Sequence, residues 1–243
     1  MNFNNAIASV IGSSHYKLYY NNQDSYAFYQ DRNCIVGVVA DGCGSGANSE
    51  VGAKLGVDFI VNFCKKHFYS NPFSVDLLES SLIEYLRNIV KNQQTSEELE
   101  FIENYLFFTL FGFIIQPHQT FVFHSGDGLY QINDKQVIIE QENRPQYLAK
   151  NLISGNSHIA TEQIETNRLQ KLLVSTDGLM HLNDKFRIGE SVAGMKSVDD
   201  FFDNDEHFEN MISLPKLLSD LSINKNILKD DTTLIMLKSK NIR

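Results

Sequence analysis

Carboxylates in this chain recur beside apolar runs. Residues 35–40 lead into Asp41-Gly42, and residues 172–176 lead into Asp177-Gly178. Asp230-Asp231 stands just ahead of residues 234–237, Asp127 is held between Gly126 and Gly128, and Asn22-Gln23-Asp24-Ser25 opens a further segment. Short uncharged runs of this kind read as buried strands, so the acids are carried at strand ends. The ends of packed strands converge in space, and carboxylates a few ångströms apart repel one another. A hard divalent cation removes that repulsion, and oxygen ligands with retained waters suit Mg²⁺ or Mn²⁺. Taken singly, Asp41-Gly42 is a turn signal and Gly126-Asp127-Gly128 a hairpin turn. Asp230-Asp231 is, alone, solvated charge at an edge strand.

Other chemistries fit less well. The glycines Gly42, Gly44 and Gly46 are followed by no Gly-Lys-Ser/Thr and lack the full dinucleotide spacing. No Gly-x-Ser-x-Gly elbow is present, and the histidines form no metal-ligand pair at helical spacing. The acidic segment 199–209 has no calcium-loop spacing and reads as a solvated helix face.

The elements that must position these acids follow from hydrophobic period. Residues 6–11, 17–20, 25–30 and 35–40 read as strands, the last two as a hairpin. Helical spacing runs from Asn48 to about residue 69 and again over residues 77–90, with Asn71-Pro72 as a helix start and Thr95-x-x-Glu98 as a capping box. Residues 105–116, 120–124, 129–132 and 137–140 read as closely spaced strands, which require antiparallel pairing. Residues 142–155 read as a polar surface loop or flap. Residues 158–165 and 169–176 read as strands, 179–224 as mostly helical, and 231–237 as a closing strand. This order is not a regular βα alternation. It predicts an α+β fold of antiparallel sheets with helices outside, in one domain spanning residues 1–243.

The chain has 243 residues, 42% hydrophobic and 21% charged, a globular composition. Its net charge of −9, from 21 basic and 30 acidic residues, disfavours nucleic acid and anionic membrane as partners. Residues 105–115 form the longest strongly apolar run, too short to cross a bilayer, and no basic secretory start precedes it. Three cysteines with no Cys-x-x-Cys spacing point to a reducing, cytoplasmic setting. Neither the oligomeric state nor the physiological substrate is written in the sequence.

The ordered set Gly12-Ser13-Ser14-His15, Asn22-Gln23-Asp24-Ser25, Ala40-Asp41-Gly42-x-Gly44, Ser125-Gly126-Asp127-Gly128, Ser175-Thr176-Asp177-Gly178 and Asp230-Asp231-x-Thr233 resembles the metal-dependent type 2C protein serine/threonine phosphatases. It is most similar to their divergent bacterial branch. The resemblance spans residues 6–237. It implies a four-layer αββα sandwich of two antiparallel sheets flanked by helices, with two Mg²⁺ or Mn²⁺ ions at one end. It further implies that Asp41 bridges both ions, that the Gly42 carbonyl binds one, and that Asp177 and Asp230 bind the other. Asp24, with Gln23, would hold metal-bound waters, Asp127 would match a residue for a weak third ion, and Asp231 and Thr233 would support the closing strand. Implied too is in-line attack on a phosphoserine or phosphothreonine of a protein substrate by a water activated between the ions.

Three positions depart from the family pattern. Residues 18–21 contain no Arg where many members carry one that grips phosphate; Lys17 or His15 are candidate substitutes. Cys43 stands where many relatives have a His proposed as general acid, and His15 is the candidate for that role. His181 stands where a third-ion Asp is common, which counts against a third ion. Two alternatives stay open: a catalytically weak phosphatase-like binding or regulatory domain, and a metal-dependent hydrolase of small phosphoesters.

Overall fold

The structure, a computed structural model, describes residues 2–67, 73–93, 96–142 and 144–240. In chain order the elements are β1 (Phe3–Val10), α1 (Ser13–Leu18), β2 (Asp24–Gln30), β3 (Ile35–Asp41), α2 (Ser49–His67), α3 (Val75–Gln93) and α4 (Glu98–Phe101). There follow β4 (Leu110–Ile115), β5 (Gln119–Ser125), β6 (Gly128–Ile132), β7 (Lys135–Ile139), β8 (Ala160–Glu165) and β9 (Lys171–Ser175). The chain closes with α5 (Met180–Arg187), α6 (Glu206–Glu209), α7 (Ser213–Ser219) and β10 (Thr232–Ser239). No helix among the described residues is long and apolar enough to cross a membrane.

The strands form two five-stranded antiparallel sheets, β1-β10-β9-β6-β7 and β2-β3-β4-β5-β8. Period-2 alternation explains the layering. On β3, Val36, Val38 and Ala40 pack with Ala53, Val57 and Ile60 of α2 and with Leu78 and Leu82 of α3. The alternate residues Ile35 and Val39 pack with Phe111 and Phe113 of β4 against Val174, Ile235 and Leu237 of the other sheet. A third cluster joins Leu173, Leu234 and Met236 to Leu182 of α5 and to Leu214 and Leu218 of α7. The result is the αββα sandwich. Because β3 is buried on both faces, each of its valines contributes roughly 1.5–3 kcal/mol of burial.

Several segments differ from the sequence expectation. Residues 17–20 are not a strand. The N–H groups of Ser13 and Ser14 dock on the carbonyls of Leu228 and Lys229, both at 3.0 Å, which starts helix α1 despite the β-propensity of its aromatic end. Residues 102–106 form a π-helical turn rather than the start of a strand, and β4 begins only at Leu110. That turn buries Ile102 and Leu106 and presents the Asn104 carbonyl to the Asn48 N–H at 3.0 Å. Gly126-Asp127-Gly128 is no hairpin: β5 and β6 lie in different sheets, and Gly126 makes the crossover at φ +91°.

Residues 142–155 are partly anchored, since the 3₁₀ turn Leu148–Leu152 buries Leu148 and Ala149. The stretch 179–224 is broken into short helices and turns. Within its acidic segment Phe201 and Phe202 are buried, while Asp199 meets Lys171 at 2.8 Å. The features expected at Asn71-Pro72 and at Thr95 fall outside the described residues.

Candidate metal centre

Strand parity carries the acids into one place. Asp41 has the parity of Ile35 and Val39, so it lies at the end of β3 on the side facing the other sheet. Asp24 is its register partner on β2 and therefore shares that side. On β9 the parity of Leu172 and Val174 extends to Thr176, and Asp177 follows at once, opening the 3₁₀ turn that leads into α5. On β10 the parity of Ile235 and Leu237 extends back through Thr233 to Asp231, with Asp230 beside it. The crossover at Gly126 and Gly128 delivers Asp127 to the same end of the sandwich.

The electrostatics confirm the convergence. Asp41 keeps an opening to solvent, yet desolvation first, then the charges of Asp24, Asp177 and Asp230, push its carboxyl well above the ordinary range. Asp24 is buried and also raised well above its usual value, by burial first and then by Asp231; hydrogen bonds from Thr176 and Thr233 oppose this, and Asp177 adds to it. Asp177 is pushed up to about 7 by burial, Asp230 and Asp127. Burial raises Asp127 as well. Three acids, Asp24, Asp41 and Asp177, raised by burial and by neighbouring carboxylates are the signature of a site lacking positive charge.

Asp24 is fixed from several sides. The Thr176 hydroxyl donates to its Oδ2 at 2.7 Å, and its own N–H donates to Asn22 Oδ1 at 2.9 Å. Its other oxygen, Oδ1, is buried with no hydrogen-bond donor. An orphaned buried acceptor amid unneutralised acids fits a hydrated divalent cation, and an all-oxygen donor set fits Mg²⁺ or Mn²⁺. Gly42 lies so near the first residue of α2 that a Cβ there would stand 2.7 Å from the Ser49 carbonyl carbon.

His15 and Asp231 form a second unit. Asp231, 1% exposed, accepts from the Gly12 N–H at 2.7 Å and the Gln23 N–H at 2.6 Å. Its Oδ2 is also 2.9 Å from His15 Nδ1. An ionised carboxylate only accepts, which assigns the Nδ1 proton to His15 and leaves Nε2 as the ring's working atom. Single ligand atoms of His15, Asp230 and Asp231 all lie within 4.8 Å of one another. Asp231 is therefore more than a support for the closing strand.

Cys43 Sγ lies 3.2 Å from Ser45 Oγ. Burial raises its thiol, but hydrogen bonds from the Ser45 and Tyr147 hydroxyls and the Ser45 and Gly46 N–H groups outweigh this and leave it below its usual value. Tyr147 escaped the sequence reading. Its ring stacks on Phe107 at 4.9 Å, and burial, Cys43, Asp41 and Asp127 raise its phenol. A single tyrosine in a polar stretch gives no periodic signal. His181 sits with Nδ1 3.2 Å from the Gly178 carbonyl. A cavity of about 1110 Å³ lies around His207 and Ser213, and none of these carboxylates lines it.

A family sequence profile described as Protein phosphatase 2C matches residues 11–226. No curated protein sequence matches the chain. Among solved structures, the serine/threonine phosphatase Stp1 from Staphylococcus aureus is similar over 98% of this chain and 95% of its own, at 14% identity and a TM-score of 0.59. The S. agalactiae serine/threonine phosphatase is similar over 98% of this chain and 100% of its own, at 13% identity and 0.58. RsbX in complex with magnesium is similar over 98% and 96%, at 16% identity and 0.52. At these identities the structural likeness concerns the fold.

Proposed function

Because the chain belongs to the protein phosphatase 2C family, we propose that it is a metal-dependent phosphoprotein phosphatase acting on phosphoserine or phosphothreonine. The observation that carries this reading is the convergence of Asp24, Asp41, Asp177 and Asp230 at one end of the inter-sheet gap. Asp41 and the Gly42 carbonyl, with Asp177 and Asp230, would hold two Mg²⁺ or Mn²⁺ ions; Asp127 would match a residue for a weak third, against which His181 counts. Bound there, such ions supply an activated water and neutralise charge on the phosphoryl oxygens.

The chain's own residues do the rest. Thr176 and Asn22 fix Asp24, whose free Oδ1 orients water at the edge of the site. Asp231 accepts from the His15 Nδ1–H, and a second proton, carried on Nε2 of the doubly protonated ring, would pass to the departing serine or threonine oxygen and leave the ring neutral. Cys43 is not needed for that step, its sulfur being engaged by Ser45 and Tyr147. Phosphorylated protein is the partner class that fits; the net charge of −9 opposes nucleic acid.

The test is an assay of purified protein on p-nitrophenyl phosphate and on a phosphoserine peptide, with Mn²⁺, Mg²⁺ or chelator, beside an Asp41→Asn control. Metal-dependent turnover of both substrates is expected. No turnover above the control leaves a phosphatase-like binding domain, and turnover of the aryl ester alone leaves a hydrolase of small phosphoesters.

A further inference from the structure

Beside the candidate centre, α5 and residues 225–229 enclose a second cavity of about 430 Å³. Ile188 and Ile227 make its lining largely apolar, and Lys185, Lys225 and Lys229 stand around it. In a chain of net charge −9, three lysines about one cavity form a positive island. Two of them are already paired, Lys185 with Glu190 at 2.9 Å and Lys225 with Asp220 at 3.0 Å. Lys229 has no carboxylate partner among the described residues. Asp184 is the one acid in the lining, and Arg187 lies 3.8 Å from it.

This cavity shares walls with the centre. Lys229 directly precedes Asp230, and its carbonyl accepts from the Ser14 N–H at 3.0 Å, which fixes it to the helix carrying His15. Lys17 of that helix donates to Asn226 Oδ1 on the rim at 2.6 Å. From the other side, His181 lies one helical turn beyond Asp177 and also lines the cavity. A peptide whose phosphorylated residue reached Asp230 would bring its neighbouring residues past Lys229, the residue beside it in the chain.

We propose that this cavity is a specificity pocket for an acidic side chain flanking the phosphorylated residue of a protein substrate, with Lys229 as the cation that selects it. The assignment rests on the phosphatase reading above. Its chemistry is that of a glutamate, whose methylenes suit the apolar lining and whose carboxylate meets an ammonium with no competing partner.

The test uses two phosphoserine peptides that differ only in carrying Glu or Gln on both sides of the phosphoserine, with p-nitrophenyl phosphate alongside and Mn²⁺ present. The Glu peptide is expected to show a KM roughly fivefold lower, which corresponds to about 1 kcal/mol for one ion pair near the surface. That preference should fade near about 1 M salt, where the screening length falls to about 3 Å. The readout is the ratio between peptides, so a change common to both does not enter it. Lys229→Gln should bring the ratio to one, and Lys229→Glu should invert it. Equal KM values in the wild-type protein, or a preference that survives Lys229→Gln, overturn the pocket while the phosphatase stands. No metal-dependent turnover of p-nitrophenyl phosphate overturns the phosphatase reading and the pocket with it.

Discussion

Asp24 and Asp41 oppose one another across the β2–β3 ladder, in register and on the same side of the sheet, and Asp24 Oδ1 has no donor. Burial raises both carboxyls well above the ordinary range; the charge of Asp24 adds to this at Asp41, and that of Asp231 adds to it at Asp24.

A pH dependence of the metal-free protein follows. Acids whose folded pKa is raised contribute stability below their unfolded pKa and lose it as pH rises through the folded value, here about 7 for Asp177, with Asp41 also held well above the ordinary range. The half-buried His124 and the buried His207, both lowered by desolvation, act oppositely and only below about pH 6.5. Thermal unfolding in chelator should therefore show the wild-type Tm falling, relative to that of Asp41→Asn, as pH rises from about 4 to about 7. Added Mg²⁺ or Mn²⁺ should reverse the fall. A flat difference across that window would refute the coupling.

Asp41→Asn separates function from stability. Removing one charge should raise the Tm of the metal-free protein at pH 8 and flatten its pH dependence. The same change should lower metal-dependent kcat by at least about 10²-fold, the scale of losing one preorganised electrostatic group. A variant that loses both activity and Tm in chelator would count against the repulsion.

Asp231→Asn should be costly. It places an amide where the Gly12 and Gln23 N–H groups and His15 Nδ1 all require an acceptor. Each buried donor left unmet costs about 1–3 kcal/mol. At roughly 2–4 °C per kcal/mol the loss of Tm should be several degrees. Turnover of phosphoserine peptide should fall further than that of p-nitrophenyl phosphate, since the aryl leaving group needs no proton. Equal losses on the two substrates would place His15 outside proton transfer.

Much of this was legible beforehand. Asp41 and Asp177 announced themselves because an uncharged run ends in Asp-Gly, and buried strands are the part of a sheet that periodicity reports most plainly. Their convergence followed from strand ends meeting. What periodicity could not report was how short segments bend. The aromatic run after His15 looks extended, yet its conformation is set by hydrogen bonds to Leu228 and Lys229, over two hundred residues away. Gly126 and Gly128 look like a hairpin because local turn chemistry is the same whether the chain returns to its own sheet or crosses to another. Tyr147 was invisible for a related reason: its place is given by Phe107 and Cys43, not by its sequence neighbours.

Gly178→Ala tests the packing behind the centre. A Cβ at Gly178 would collide with the Asp231 carbonyl, and one at Gly12 would meet the Asp230 backbone. The substitution should displace residues 230–231, lower metal affinity in a calorimetric titration, and leave far-ultraviolet circular dichroism unchanged. Wild-type affinity would show that the 230–231 backbone yields freely.

Tyr147→Phe removes only a hydroxyl bonded to Cys43. It should cost about 1 kcal/mol, a typical net value for one hydrogen bond, or a Tm loss of roughly 2–4 °C. Aryl phosphate turnover should persist, because His15 and the carboxylates are untouched. Abolished turnover would give Tyr147 a direct part in the chemistry.

The pairing of β1 with β10 runs from Phe3 opposite Ser239 to Val10 opposite Thr232, so the first strand of the chain is completed by its last. Such a contact closes a long loop, from residue 10 to residue 232, which is slow to form. A nascent chain still short of residue 230 already carries Asp24, Asp41, Asp127 and Asp177 but lacks the strand that draws them together. The convergence of these carboxylates is in this sense a late event, waiting on β10 rather than on any local turn.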